Sequence, residues 1–143
     1  MSENTDKVAA RLRLRALVML VFLSVQFILG IINNLFVDFP QNSIDGENWI
    51  FAWQVLHVIL HIVLGIGLLV GSLVMFVIAM KNKSGKLILP TTLGLVSILG
   101  AGISGALFVA SQNDIYSLSM AVLFITSVLS YSWGIYRSNK SLE

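Results

Sequence analysis

Apolar residues in this chain gather in four long, nearly continuous runs, approximately Ala16 to Val37, Trp49 to Met80, Leu87 to Ala110 and Ile115 to Tyr136, with polar segments between them. Each run has at least the roughly 20 residues that an α-helix needs to cross about 30 Å of hydrocarbon. The pattern predicts four membrane-spanning helices. The second run is the longest, which predicts a helix that tilts or projects beyond the bilayer. The segments Asp38 to Asn48, with Pro40 and Gly46, and Lys81 to Lys86, with Gly85, read as short turns suited to neighbouring helices of opposite direction. The expected fold is an all-α membrane protein, a single antiparallel four-helix transmembrane bundle occupying residues 1–143.

Composition strengthens this expectation: 57% of the residues are hydrophobic and 11% charged, outside the range of ordinary soluble domains. Charge then orients the bundle. Lys7, Arg11, Arg13 and Arg15 precede the first run, Lys81, Lys83 and Lys86 lie between the second and third, and Arg137 and Lys140 follow the fourth. With four crossings all nine cations share one face, while Asp38, Asp45, Glu47 and Asp114 occupy the other. Retained Lys and Arg mark the cytoplasmic side, so both termini are expected there, in a bacterial-type cell membrane. The basic segments are thereby explained by topology, and nucleic acid is not an expected partner. Trp49, Trp53 and Tyr116 near the outer ends, with Trp133 and Tyr136 near the inner end, fit aromatic belts. The first run follows an Arg-rich start like that of a signal sequence. It is too long for a typical signal core and lacks a small-x-small cleavage motif, so it is expected to be retained.

Lipid gives helices little reason to associate beyond close fit, and small residues mark the contact faces. Ser97, Ala101 and Gly105 recur at four-residue intervals in the third run, flanked by Gly94, Gly100, Gly102 and Ser104; Gly67 and Gly71 form a Gly-x-x-x-Gly pair in the second. Such faces serve packing within the chain, a homo-oligomer, or a partner in a membrane complex. Pro90 falls early in its helix, where the loss of its N–H costs little.

The candidate chemistry is concentrated in His57 and His61, the only histidines, one helical turn apart inside the second run. An ionisable side chain within a span is costly enough to count as a site by default. His57, His61 and Gly65 share a helix face, with Ser72 near its continuation, so two imidazoles stand above a strip poor in side chains. The pair could contact a flat cofactor such as haem b, offer two nitrogens to a transition metal, or form part of a proton path. Alternatively, neutral histidines satisfy hydrogen bonds between helices at about 1 kcal/mol each. Gln26, Asn33, Asn34 and Gln54 are expected at similar outer-half depth and could orient an imidazole by hydrogen bonding.

Other chemistries are excluded or disfavoured by what is missing. There is no cysteine, hence no disulfide, thiolate metal site, iron–sulfur cluster or thiol nucleophile. His57-Val58-Ile59-Leu60-His61 lacks the glutamate of a zinc hydrolase helix. No run contains an acidic residue, which disfavours a carboxylate-driven pump. Two histidines on adjacent turns of one face cannot grip both sides of one haem. Met120 on the fourth run is a conceivable thioether ligand, although such a Met more often packs.

Asn34-Leu35-Phe36-Val37, the short polar loop and His61-Ile62-Val63-Leu64-Gly65 resemble a group of small bacterial four-span proteins of unassigned function. The helix count and the His-containing helix also resemble half-bundles of the haem A synthase type and other membrane b-type cytochromes. That second likeness implies a haem ligand at His57 or His61, since no other run carries a histidine. The expected function is a membrane binding or redox-accessory protein holding haem or contacting a quinone through His57, His61 and Gly65, without independent catalysis. A structural or assembly subunit of a membrane complex is the alternative, and a small transporter a third.

Overall fold

The computed structural model describes residues 3–38 and 47–139, with side chains at 10–38 and 47–138. The turn expected around Pro40 and Gly46, and the terminal Lys140, fall outside these residues. Five helices follow in order: α1 Glu3–Phe36, α2 Glu47–Ala52, α3 Leu56–Lys81, α4 Gly85–Ser111 and α5 Asp114–Asn139. Four of them are long and apolar enough to cross a membrane, over Ala10–Phe36, Leu56–Lys81, Gly85–Ser111 and Asp114–Ser138. No strand occurs among the described residues.

The long helices form a closed ring of neighbours: α1 beside α3, α3 beside α4, α4 beside α5 and α5 beside α1, while short α2 rests on α4. Leu12, Ala16, Met19 and Leu23 of α1 meet Leu68, Met75 and Ala79 of α3, Leu87 and Ile98 of α4 and Tyr131 of α5 in the interior. The outer surface is as apolar as the inner one. At most 28% of any of the four apolar windows is buried, and Leu14, Val21, Leu56, Val96 and Leu129 are among many large hydrophobics left exposed. Water would not tolerate so continuous an apolar surface, and hydrocarbon would; the four helices support a multi-pass membrane protein.

The longest apolar run is not one helix. It breaks at Trp53–Val55, where Gln54 N–H turns back to Phe51 and Val55 takes an extended conformation. No proline or glycine marks the break. Its gain is burial: Ala52 packs with Val58 and Val109, joined by Trp49, Val55 and Ile62, in a small cluster beyond the main core. The depth of His57 is therefore not set by one continuous helix running down from Trp53.

The helix ends are closed by local hydrogen bonds. After α3, Lys83 N–H bonds to Met80 O and Ser84 N–H to Ala79 O, a Schellman closure with Lys83 at φ 48° in the left-handed position. Gly85, which the sequence suggested for the turn, instead begins α4. Gln112 closes α4 at φ 52°, its side-chain amide donating to Phe108 O and Val109 O.

Three glycines of the small-residue face of α4, Gly94, Gly100 and Gly105, pack within the chain against α5. A Cβ on Gly94 would fall 2.6 Å from Tyr131 Cζ, one on Gly100 3.1 Å from Leu123, and one on Gly105 3.1 Å from Met120 Sδ. Met120 is thus a packing residue on Gly105. Gly71 likewise receives Met19 of α1, whereas Gly67 and Gly102 face open space. Buried hydroxyls take partners within their own helices, as in Ser72 to Leu69 O and Ser127 to Phe124 O, both 2.7 Å. At the opposite end Pro90 leaves Lys86 O without an N–H from the next turn. Arg137 donates to that carbonyl at 3.3 Å while its guanidinium stacks 4.8 Å above Trp133, and Pro90 itself packs on Gly134.

Candidate functional site

Gln26 of α1 and His61 of α3 meet between their helices. Gln26 Nε2 lies 3.1 Å from His61 Nε2 and donates to the His61 backbone carbonyl, also at 3.1 Å. The carbonyl fixes the amide, because only its NH2 end can face an acceptor at that distance. The second N–H then points at His61 Nε2, which must accept. An imidazole that accepts through Nε2 is neutral and carries its proton on Nδ1.

Two glycines admit this arrangement reciprocally. Gly65, one turn after His61, lies beneath the Gln26 amide, where a Cβ would come 3.2 Å from Nε2. Gly30, one turn after Gln26, receives the imidazole, where a Cβ would come 3.4 Å from Cε1. Each helix thus contributes a polar side chain and, four residues later, the gap that takes its partner's. The strip expected at Gly65 is occupied by Gln26. Gly30 was not among the residues singled out from the sequence, although its spacing from Gln26 repeats that of Gly65 from His61.

Four buried polar atoms carried by α1 and α3 lack a hydrogen-bond partner: Gln26 Oε1, Asn33 Oδ1, His57 Nδ1 and His61 Nδ1. Among the described residues the fifth such atom is the Tyr131 hydroxyl, far along the bundle, on a residue lining a cavity of about 10 Å³ that suits a single water. An unpaired buried polar atom costs about 1–3 kcal/mol, and native proteins keep few of them. Gathering four on one helix pair leaves hydrogen-bonding capacity that the protein itself does not use.

Asn34 and Gln54 are exposed, and no hydrogen bond joins either to an imidazole among the described residues. His57 and His61 share the α3 face as expected, one turn apart. No third His, Cys, Asp or Glu joins them in a metal-binding group among the described residues. Of the two candidate haem ligands, His61 is engaged by another side chain. The His61 Nε2 that iron would require is held by Gln26, and the Nδ1 atoms of both rings are buried.

What remains chemically is a set of directed polar groups. His61 Nδ1–H donates, Gln26 Oε1 and Asn33 Oδ1 accept, and His57 Nδ1 can do either according to its tautomer. No protein-family model, curated protein or solved structure matches the chain.

Proposed function

We propose that the protein is a membrane binding or redox-accessory protein whose α1 and α3 helices hold a lipophilic ligand with carbonyl or hydroxyl oxygens, the chemistry of a quinone headgroup. In this reading the bundle is antiparallel, spans a bacterial-type cell membrane and keeps both termini in the cytoplasm. The direction is supported by contacts whose numbers rise on one helix as they fall on the next, Met19 with Gly71 and Gln26 with Gly65, then Gly94 with Tyr131 and Gly105 with Met120. The orientation is supported by the cations, which flank the ends of the runs that four crossings place together.

The observation that carries the reading is the group of four unpaired polar atoms on α1 and α3. A quinone carbonyl can accept from His61 Nδ1–H, and a reduced hydroxyl can donate to Gln26 Oε1 or Asn33 Oδ1. The same residues therefore suit both oxidation states without gaining or losing charge in a low-dielectric setting. No acidic side chain or thiol stands among them, and the protein contributes binding and orientation, with no catalysis of its own.

The test is equilibrium binding of a benzoquinone to the protein in lipid nanodiscs, followed through quenching of Trp49 and Trp53 with Trp133 replaced by Phe. Saturable quenching is expected, weakened at least fivefold in Asn33→Leu and His57→Leu. Non-saturable quenching, or equal affinity in both variants, refutes it.

A second reading rests on the Gln26–His61 contact itself. Two hydrogen bonds and two reciprocal glycines make a competent interhelical clamp, as a structural or assembly subunit would need. Under that reading the two Leu variants bind quinone no differently from the wild-type protein.

A further inference from the structure

Beside the polar residues, on the outward side of the contact between α1 and α3, lies a recess of about 550 Å³. This is within the range of roughly 300–1,000 Å³ typical of small-molecule sites. Val25 and Leu29 in its wall bracket Gln26 on α1, and Leu60 and Leu64 bracket His61 on α3. From that level it descends to buried Met19 and Leu68, about 10 Å along the helix axes at 1.5 Å per residue. Gly67 forms part of its wall and has nothing within 4 Å of where a Cβ would stand. The recess owes its depth partly to that missing side chain.

We infer that the ligand of the proposed site is a tailed amphiphile, an oxygen-bearing ring on a prenyl or alkyl chain, whose chain lies in this recess and which reaches the site sideways from the bilayer. The inference rests on the proposed binding function and narrows it to a substrate class. The lining is almost entirely apolar and offers a chain no hydrogen bonds. Two of the four atoms without partners, Gln26 Oε1 and His61 Nδ1, are carried by the residues bracketed at its outer end. An ordinary phospholipid does not satisfy both regions, because its polar groups stay at the interface. Gln26 lies ten residues from the end of α1, about 15 Å of helix, well inside the hydrocarbon. A compact ring with oxygens at its edge and a chain attached matches polar atoms at depth with an apolar channel leading further in.

The experiment compares two probes in nanodiscs, a benzoquinone without a side chain and the same ring with a decyl chain, each expressed per lipid to remove differences in partitioning. Wild-type protein is expected to bind the decyl probe at least tenfold more tightly. Gly67→Leu and Val63→Phe, two independent ways of filling the recess, should each remove most of that advantage and leave the bare ring's affinity within twofold. Gly102→Leu is the control, an equally open glycine on α4 away from the recess, and should change neither affinity. Equal per-lipid affinity for the two probes, or an undiminished decyl advantage in both filled variants, overturns the inference while the ring site stands. If neither probe binds, the proposed function and the inference fall together.

Discussion

Replacing Gln26 by Leu tests the central hydrogen-bond assignment because it removes the amide at nearly constant volume. Two hydrogen bonds from Nε2 disappear, one to the His61 ring and one to its carbonyl. Side-chain hydrogen bonds between membrane helices average about 0.6 kcal/mol with a maximum near 1.7. The pair is therefore worth about 1–2 kcal/mol. Loss of the unpaired Oε1 works in the opposite direction, while stranding His61 Nε2 adds to the cost. A net destabilisation of about 1 kcal/mol is expected, measured by reversible unfolding in mixed micelles titrated with SDS. His61→Leu removes only the ring contact, since the carbonyl remains, so the double-mutant coupling should be about 0.6 kcal/mol and no more than about 1.7. The tautomer supplies an independent readout. In ¹⁵N-histidine-labelled protein, His61 should show a protonated Nδ1 and an unprotonated Nε2. A protonated Nε2 in the wild-type protein, or coupling indistinguishable from zero in the cycle, refutes the assigned geometry.

Gly94→Ala places a methyl 2.6 Å from Tyr131 Cζ and 2.7 Å from its hydroxyl. The enclosed ring cannot swing aside as a flexible side chain would, so a loss of about 1–3 kcal/mol is expected, against no steric penalty for Gly67→Ala in the same unfolding assay. Arg137→Ala should cost about 1 kcal/mol through the lost hydrogen bond and cation–π contact. That cost should shrink in a Pro90→Ala background, where a restored N–H can serve Lys86 O; an unchanged cost would show that Arg137 does not act through that carbonyl. The native chain has no cysteine, so Asn82→Cys and Asn113→Cys report topology directly. A membrane-impermeant maleimide applied to intact cells should label Asn113→Cys and leave Asn82→Cys unmodified, and the reverse pattern would invert the proposed orientation.

The four long helices were legible in the sequence because length and continuous hydrophobicity are physical requirements of a span, independent of neighbouring helices. Gly94, Gly100 and Gly105 of α4 were legible for a related reason, since only a missing side chain lets α5 approach so closely, whereas Gly102, read with them, faces open space. The break at Trp53–Val55 was not. Nothing local forbids helix there, and it is favoured by burial of Ala52 and packing of Trp49, which depend on where α4 lies. At the site, the spacing of His57, His61 and Gly65 could be read from the chain, and Gln26 was a candidate partner on grounds of depth. The pairing itself could not, because Gln26 and His61 are brought together by the packing of α1 on α3, and the choice of Gln26 over Asn34 or Gln54 is made by which face of each helix turns inward. Gly30 had a signal available in its four-residue spacing from Gln26. The Arg137 contact was hidden because it depends on a backbone oxygen that Pro90 leaves free.

The two sides of the ring are held together by different means, and this bears on how the bundle comes apart. Helices α4 and α5 are the most extensively packed pair, joined by close backbone approach at Gly94, Gly100, Gly105 and Gly134 with a two-residue connection between them. Helices α1 and α3 share part of the apolar core but add a polar clasp, with a recess alongside and unpaired groups within. Cooperative units of lower local stability open first. The α4–α5 pair is therefore expected to persist as a subglobal unit while α1 separates from α3 in partial opening. Amide hydrogen exchange should become fast around Gln26 and His61 while Gly94 and Tyr131 remain protected.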